Sequence, residues 1–254
     1  MASIRFYGRV YPVALKLSIR KHPIVQLTDQ DIDIPMEFDV TIKDGKVAVD
    51  CSVEGYNHER DYMRCFVRAI DLVNASVNLA AFGMGVGASV LLDRSVDADG
   101  NGRLLVLRDR PLSALCTAFS SDAESFDVIL DFVLQDLRLS RAIRDLVESI
   151  AGPHIIPTNC ARSIETLRSI MVPANIERKH GWTFMQENLR VTADYLRLIT
   201  DHGVGPRHGD LKYVPGETTR VIAERSWTVM NRYFEYIKRG KHPLPLAEFP
   251  ILTG

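Results

Sequence analysis

The sequence predicts an α+β fold: a β-rich N-terminal domain with one packed helix, followed by an α-helical bundle of about four helices. Three observations predict it. Apolar and polar residues alternate over 36–42 and 47–53, on either side of Asp44-Gly45. Over 59–82 the apolar residues recur instead at every third or fourth position. Beyond about Ser120 that helical period takes over the rest of the chain, which divides the sequence into domains at 1–120 and 121–254.

In the first half, residues 11–19 form a mostly apolar run read as strand. Asp44-Gly45 suits the left-handed dihedrals of a two-residue turn, so 37–53 is expected to form a β-hairpin. Tyr62, Phe66, Ile70, Val73, Val77 and Ala80 lie on one stripe, with Arg64, Arg68, Asp71, Asn74 and Asn78 off it. Such a helix packs its stripe on a sheet. Two more strands are expected at 86–92 and 103–107, joined by a segment rich in glycine and aspartate.

The second half yields four amphipathic stripes. Phe126, Ile129, Val133, Leu137, Ile143 and Val147 mark one long helix ended by Gly152-Pro153. Cys160, Ile164, Leu167 and Met171 mark a second, with Asn159 as candidate cap and Pro173 beyond its end. Trp182, Met185, Leu189, Ala193, Leu196 and Ile199 mark a third. Ile222, Val229, Tyr233 and Ile237 mark a fourth, stopped near Gly240. Four such helices close around one core as a bundle.

Composition narrows the class of function. The 254 residues carry 31 Lys plus Arg against 32 Asp plus Glu, and 46% are hydrophobic. That balance excludes long disorder and the strong cationic field of a DNA-coating protein, while leaving room for a local basic patch. Cys51, Cys65, Cys116 and Cys160 are scattered without a metal-ligand spacing, which points to free buried thiols in a reducing cytosol. Arg5, Arg9, Lys16 and Arg20 interrupt the first twenty residues, so a secretory core is not expected there. Residues 72–92 are uncharged between Asp71 and Asp93 and long enough to cross a bilayer. Polar residues and Gly83, Gly85 and Gly87 split that stretch into a helix end, a break and a strand, so a cytoplasmic protein without a membrane partner is expected.

Two glycine-containing motifs fail on context. Asp97-x-Asp99-x-Asn101-Gly102 matches the first half of a calcium loop, but the closing carboxylate position holds Arg108, so a solvated turn is expected. The glycines at 83, 85 and 87 follow a helix instead of a strand, which suits a hinge and not a nucleotide site. Accordingly no metal and no cofactor is expected.

The most informative stretch is 195–210, at the end of the third helical stripe. It contains His202-Gly203 and His208-Gly209, with Arg197 and Arg207 close in sequence. Imidazole exchanges a proton near neutral pH, and guanidinium matches phosphate oxygens. Together they suffice in principle to cleave RNA without a metal, the imidazole acting on the ribose 2′-hydroxyl and the guanidinium steadying charge on phosphorus. The same residues also admit a plain reading. Arg190, Asp194, Arg197 and Asp201 fall three or four apart as a solvated ion-pair ladder, and glycine after histidine can simply cap a helix.

Arg197-x-x-x-x-His202, placed between the last two helices of the expected bundle, resembles the Arg-x(4–6)-His motif of the HEPN superfamily. Tyr195 and the Ala161-Arg162-x-x-Glu165 segment are also similar to that group. The resemblance covers roughly 121–240 and implies a helical domain that homodimerises and is RNA-directed, either as a metal-independent endoribonuclease of bacterial defence or toxin type or as a non-cleaving binding module. It would assign acid/base roles to His202 and His208 and phosphate-holding roles to Arg197 and Arg207. Two features depart from the pattern: Leu198 stands where active members carry a polar residue, and Arg207-His208 are adjacent. The competing class is a non-catalytic homodimeric interaction protein whose loop histidines are structural. The N-terminal domain would suit a sensor or partner-binding module.

Overall fold

The computed structural model describes residues 2–20, 22–28, 34–105, 110–119, 123–173, 177–209 and 214–254. The chain separates into two compact units, Met1–Val106 and Leu107–Gly254, so the boundary drawn from periodicity at 120 falls inside the second. The reason lies in two short pieces, α2 (Arg110–Ala114) and a 3-10 turn at Thr117–Phe119, which pack on the last helix of the second unit.

The first unit is a six-stranded antiparallel sheet in the order β2-β3-β4-β1-β5-β6. The strands are β1 (Ala2–Tyr11), β2 (Val25–Thr28), β3 (Pro35–Lys43), β4 (Lys46–Val53), β5 (Ser89–Val96) and β6 (Gly102–Leu104). The expected hairpin is β3–β4, with Asp44 at φ 50° and Gly45 at φ 74° as the paired left-handed residues its turn requires. Every second residue of both strands is buried, from Met36 to Ile42 and from Val47 to Val53, and covered by α1 (His58–Met84). Asn57 caps α1 by accepting from the Arg60 N–H, and Gly85 at φ 65° ends it.

Three strands differ from expectation: β2 answers to no expected strand, and β1 and β5 are displaced. The first strand is not 11–19 but the preceding Ala2–Tyr11, where Ile4, Phe6 and Val10 face the helix while Arg5, Tyr7, Arg9 and Tyr11 alternate with them. Pro12 has no N–H to continue the ladder; beyond it Ile19 bridges to Ile42, and the Leu17 carbonyl accepts from the Gly45 N–H at 2.8 Å. β5 starts three residues later than expected. It pairs with β1 through a register shift between Tyr7 and Gly8, where any side chain on Gly8 would strike the Leu91 carbonyl. The glycine- and aspartate-rich segment is a turn between β5 and β6, in which the Asp97 carboxylate accepts from the Asp99 and Asn101 N–H groups. Residues 106 and 107 of the expected strand at 103–107 lie outside the described residues.

α1 is long and apolar enough by length and composition to cross a membrane. Here it is the packed helix of the sheet, with Val73 and Val77 fully buried, and the stretch after it breaks into strand as expected.

The second unit contains α3 (Ala123–Gln135), α4 (Leu137–Ala151), α5 (Ile156–Met171), α6 (Gly181–Leu189), α7 (Ala193–Arg207) and α8 (Gly216–Lys238). Cys160, Ile164 and Leu167 of α5 are fully buried against α4, α7 and α8. Two stretches expected as single helices are pairs. Asp136, extended at φ -125°, breaks the first and caps α4 by accepting from the Arg138 N–H. Arg190, left-handed at φ 56°, breaks the third, and Thr192 restarts it as α7. Asn159 is not a cap: α5 begins at Ile156-Pro157, and Asn159 is buried inside it. After α8 the chain returns along α6 and α7, with Leu244 N donating to Asn188 O at 3.0 Å, Thr192 N to Leu252 O at 2.9 Å and Leu252 N to Arg190 O at 2.9 Å.

Candidate functional site

Helix α7 carries most of the expected site. Thr192 caps it, Asp194 lies in its first turn, and Arg197 projects into solvent with a 3.1 Å ion pair to Asp194. His202 lies within the same helix and not in a loop. Five residues separate it from Arg197, which at 3.6 residues per turn turns it about 140° away. Gly203 is not a C-cap. It is buried where α7 crosses α5, and a β-carbon there would strike Ala161 and come within 2.8 Å of the Pro157 carbonyl oxygen. The helix runs on through Pro206 to Arg207. His208 follows, exposed, its N–H on Gly205 O at 2.9 Å, and Gly209 takes φ 84°.

The Arg197–His202 motif therefore lies inside a helix, not between two, and one chain does not bring Arg197 and His202 together. The Arg207 side chain and Asp210 lie outside the described residues. The ion-pair ladder forms only in part: Arg197 joins Asp194, but Arg190 donates its Nε–H to the Leu244 carbonyl at 2.7 Å. Arg162, singled out by its segment, is held by the buried Asp145 and so ties α5 to α4.

Three further features escape the sequence reading. A cleft of roughly 370 Å³ lies between α2, α7 and α8, walled by Pro111, Leu115, Tyr195 and Val221, with Glu224, Arg225 and Thr228 at its polar side. The Arg225 guanidinium sits 4.6 Å over the Tyr195 ring and donates to the Tyr195 carbonyl at 3.3 Å, while burial pushes the Tyr195 hydroxyl up. Glu224 already faces Arg220 at 3.5 Å. Tyr195 and its partners are about thirty residues apart in sequence, so no local spacing signals the cleft.

The second feature is an apolar stripe without cover. Phe126, Leu130 and Leu134 of α3 and Leu137 of α4 are exposed, Leu134 and Leu137 by more than two thirds. The third is the face of the sheet that α1 leaves open, where Arg5, Tyr7, Arg9 and Tyr11 stand in a row.

The four cysteines are free thiols. Burial pushes Cys160 up to about 11, and Cys65 together with burial holds Cys51 well above its usual range. Neither is therefore an activated nucleophile. Among the described residues no group of three or more His, Cys, Asp or Glu side chains could hold a metal ion.

Fold and site together define a two-domain α+β protein with a sheet-and-helix module ahead of a helical one. In comparison with known families, residues 4–106 match the N-terminal domain and residues 126–238 the C-terminal domain of a family described as a domain of unknown function, DUF8168. The two matches together span most of the chain, which belongs to that family. No curated protein and no solved structure matches it.

Proposed function

We propose that the chain is a non-catalytic interaction protein that works as a homodimer through its helical unit, in the cytoplasm where its thiols stay reduced. The exposed stripe Phe126, Leu130, Leu134 and Leu137 carries this reading. Apolar side chains at i, i+4 and i+8 of one helix are the usual material of a helix–helix seam, and leaving four of them in water is unfavourable. Charge favours a second copy as the occupant. Glu124, Asp127 and Asp131 are exposed on α3, and Arg141 is exposed on α4 beside Arg144, which faces Glu148 at 3.4 Å, so a two-fold axis can set the acidic helix of one copy against Arg141 of the other.

The expected result is a dimer by light scattering that Leu130→Asp with Leu134→Asp converts to monomer. Burying two carboxylates in such a seam should weaken association by at least about a hundredfold. A wild-type chain that is monomeric at tens of micromolar, or a variant that stays dimeric while keeping its helical circular dichroism, ends the reading.

The RNA-directed, HEPN-like reading rests on His202 and His208 sharing the C-terminal end of α7, the first half-buried and the second exposed. Arg197 of the same chain turns about 140° away from His202, so a two-fold partner would have to bring its own Arg197 there. It requires that purified protein degrade total RNA in chelator and that His202→Ala with His208→Ala abolish the cleavage. Equal degradation by both proteins, or none by either, removes the endoribonuclease.

A further inference from the structure

The open face of the sheet separates into two halves by chemistry. Antiparallel partners on one face align in rows across the strands, and the registers give those rows directly. Leu91, Arg9, Lys46 and Lys43 form one row, Arg94, Tyr7, Ala48 and Thr41 the next, with Tyr11 beyond the first. All of these except Tyr7 and Ala48, which are half-buried, are exposed. The rows nearer the start of β1 hold Arg5 with Asp50, then Asp39 and Glu37. Arg5 and Asp50 neutralise each other in an ion pair.

The first half is basic and aromatic. Arg9, Lys46 and Lys43 stand side by side on neighbouring strands, an arrangement that repels and costs stability in the free protein. Among the described residues none of the three has an ion-pair partner. Two acids lie near this row: Asp44, in the turn between Lys43 and Lys46, follows the strand instead of lying in the row, and Asp93 is the exposed extra residue at the register shift of β5. Arg94 adds a fourth cation and lies 4.4 Å over the half-buried Tyr7 ring, so a guanidinium plane backed by one phenol ring, with the Tyr11 ring beyond, stands beside three unneutralised cations.

We infer that this half of the sheet binds single-stranded nucleic acid. A row of cations neutralises successive phosphates, and unpaired bases stack on Tyr and Arg planes, which a duplex cannot offer. A flat sheet face has no groove for an apolar peptide and too much charge for one, while a strand of phosphates and bases matches both its charge and its rings. The inference stands on the first unit alone and does not depend on the proposed dimer.

The test is fluorescence anisotropy of the full chain with labelled twelve-nucleotide single strands of uridine and of thymidine, and with a duplex of equal length, across a salt series. Binding of a single strand is expected to be several-fold tighter than of the duplex and to weaken as salt rises. Arg9→Gln with Lys46→Gln should cut affinity at least about tenfold and flatten the salt dependence, each lost phosphate contact lowering the slope by about one. Tyr11→Ala should cut it about fivefold or more while leaving the salt slope unchanged, as loss of one stacked base predicts. Unchanged circular dichroism and melting confirm that the variants fold. Preference for uridine over thymidine strands, or the reverse, supports the site and reports that it senses the 2′-hydroxyl or the base methyl group by which the two strands differ. Absence of binding in low salt overturns the inference. So does equal affinity for the duplex, or variants that bind like the wild type.

Discussion

Replacing Gly203 by alanine is expected to destabilise the helical unit by about 3 kcal/mol, the upper part of the range for overpacking a tight contact. Alanine normally stabilises a helix relative to glycine by up to about 1 kcal/mol, so the sign itself is diagnostic. The added methyl would strike Ala161 and lie 2.8 Å from the Pro157 carbonyl oxygen. Both belong to α5, whose backbone cannot step aside as a flexible side chain can. Relief requires α7 to lift from α5, and that opens the packing of the two helices, in whose shared core Ile199, Leu196 and Ile164 are buried. The control is Gly83→Ala in α1, where nothing lies within 4 Å of the new carbon and the substitution should be neutral or stabilising. Urea denaturation monitored by circular dichroism measures both. A second substitution, Ala161→Gly, should return part of the loss by removing the opposing carbon. Gly203→Ala as stable as the wild type would mean that α5 and α7 do not cross this closely.

Arg232→Met is expected to cost about 4 kcal/mol. The Arg232 side chain is buried and donates three hydrogen bonds to main-chain carbonyls, on Leu189 at 2.9 Å, Arg190 at 2.7 Å and Pro250 at 2.8 Å. It has no carboxylate facing it in those contacts, and burial accordingly lowers its affinity for its proton. Methionine fills the space but leaves the Leu189 and Pro250 carbonyls dry and unpaired, each an expense of roughly 1–3 kcal/mol that relaxation only partly recovers, and takes from the Arg190 carbonyl one of its two donors, the Leu252 N–H remaining. Arg232→Lys should fall between, since one ammonium cannot reach three carbonyls spread along a guanidinium plane. Guanidinium chloride titration gives the stabilities. Limited proteolysis of Arg232→Met should cut first near 245–252, because Pro250 loses its anchor. A melting midpoint within a degree of the wild type would show that the cation contributes nothing there.

These contacts explain what the sequence could and could not disclose. The β3–β4 hairpin was readable because a two-residue turn, a left-handed dipeptide and strict alternation all agree. α1 was readable because its stripe never loses phase. The helix breaks at Asp136 and Arg190 were not, because the apolar period continues in step across both. A left-handed arginine also carries none of the signal that glycine or asparagine would. β1 escapes for a different reason. Arg5 and Arg9 look like charges that interrupt an apolar leader, yet their alternation with Ile4, Phe6 and Val10 is itself the mark of a strand with one open face.

The candidate site was harder still. Five-residue spacing brings Arg197 and His202 together only if the chain bends between them, and α7 does not bend there. The Gly203 that reads as a helix end is instead demanded by a neighbouring helix. Tyr195 stands out in sequence by its place in a motif, while its partner Arg225 on α8 is fixed by tertiary packing that no local pattern encodes.

The stretch after α8 has little regular structure, yet it is stitched to α6 and α7 by main-chain hydrogen bonds at Leu244 and Leu252 and clasped by Arg232 at Pro250. Loss of its closing residues would thus act like a wound to the interior, not a trimming of loose thread. Fraying on warming should spare this extremity, against the ordinary tendency of chain ends to loosen first.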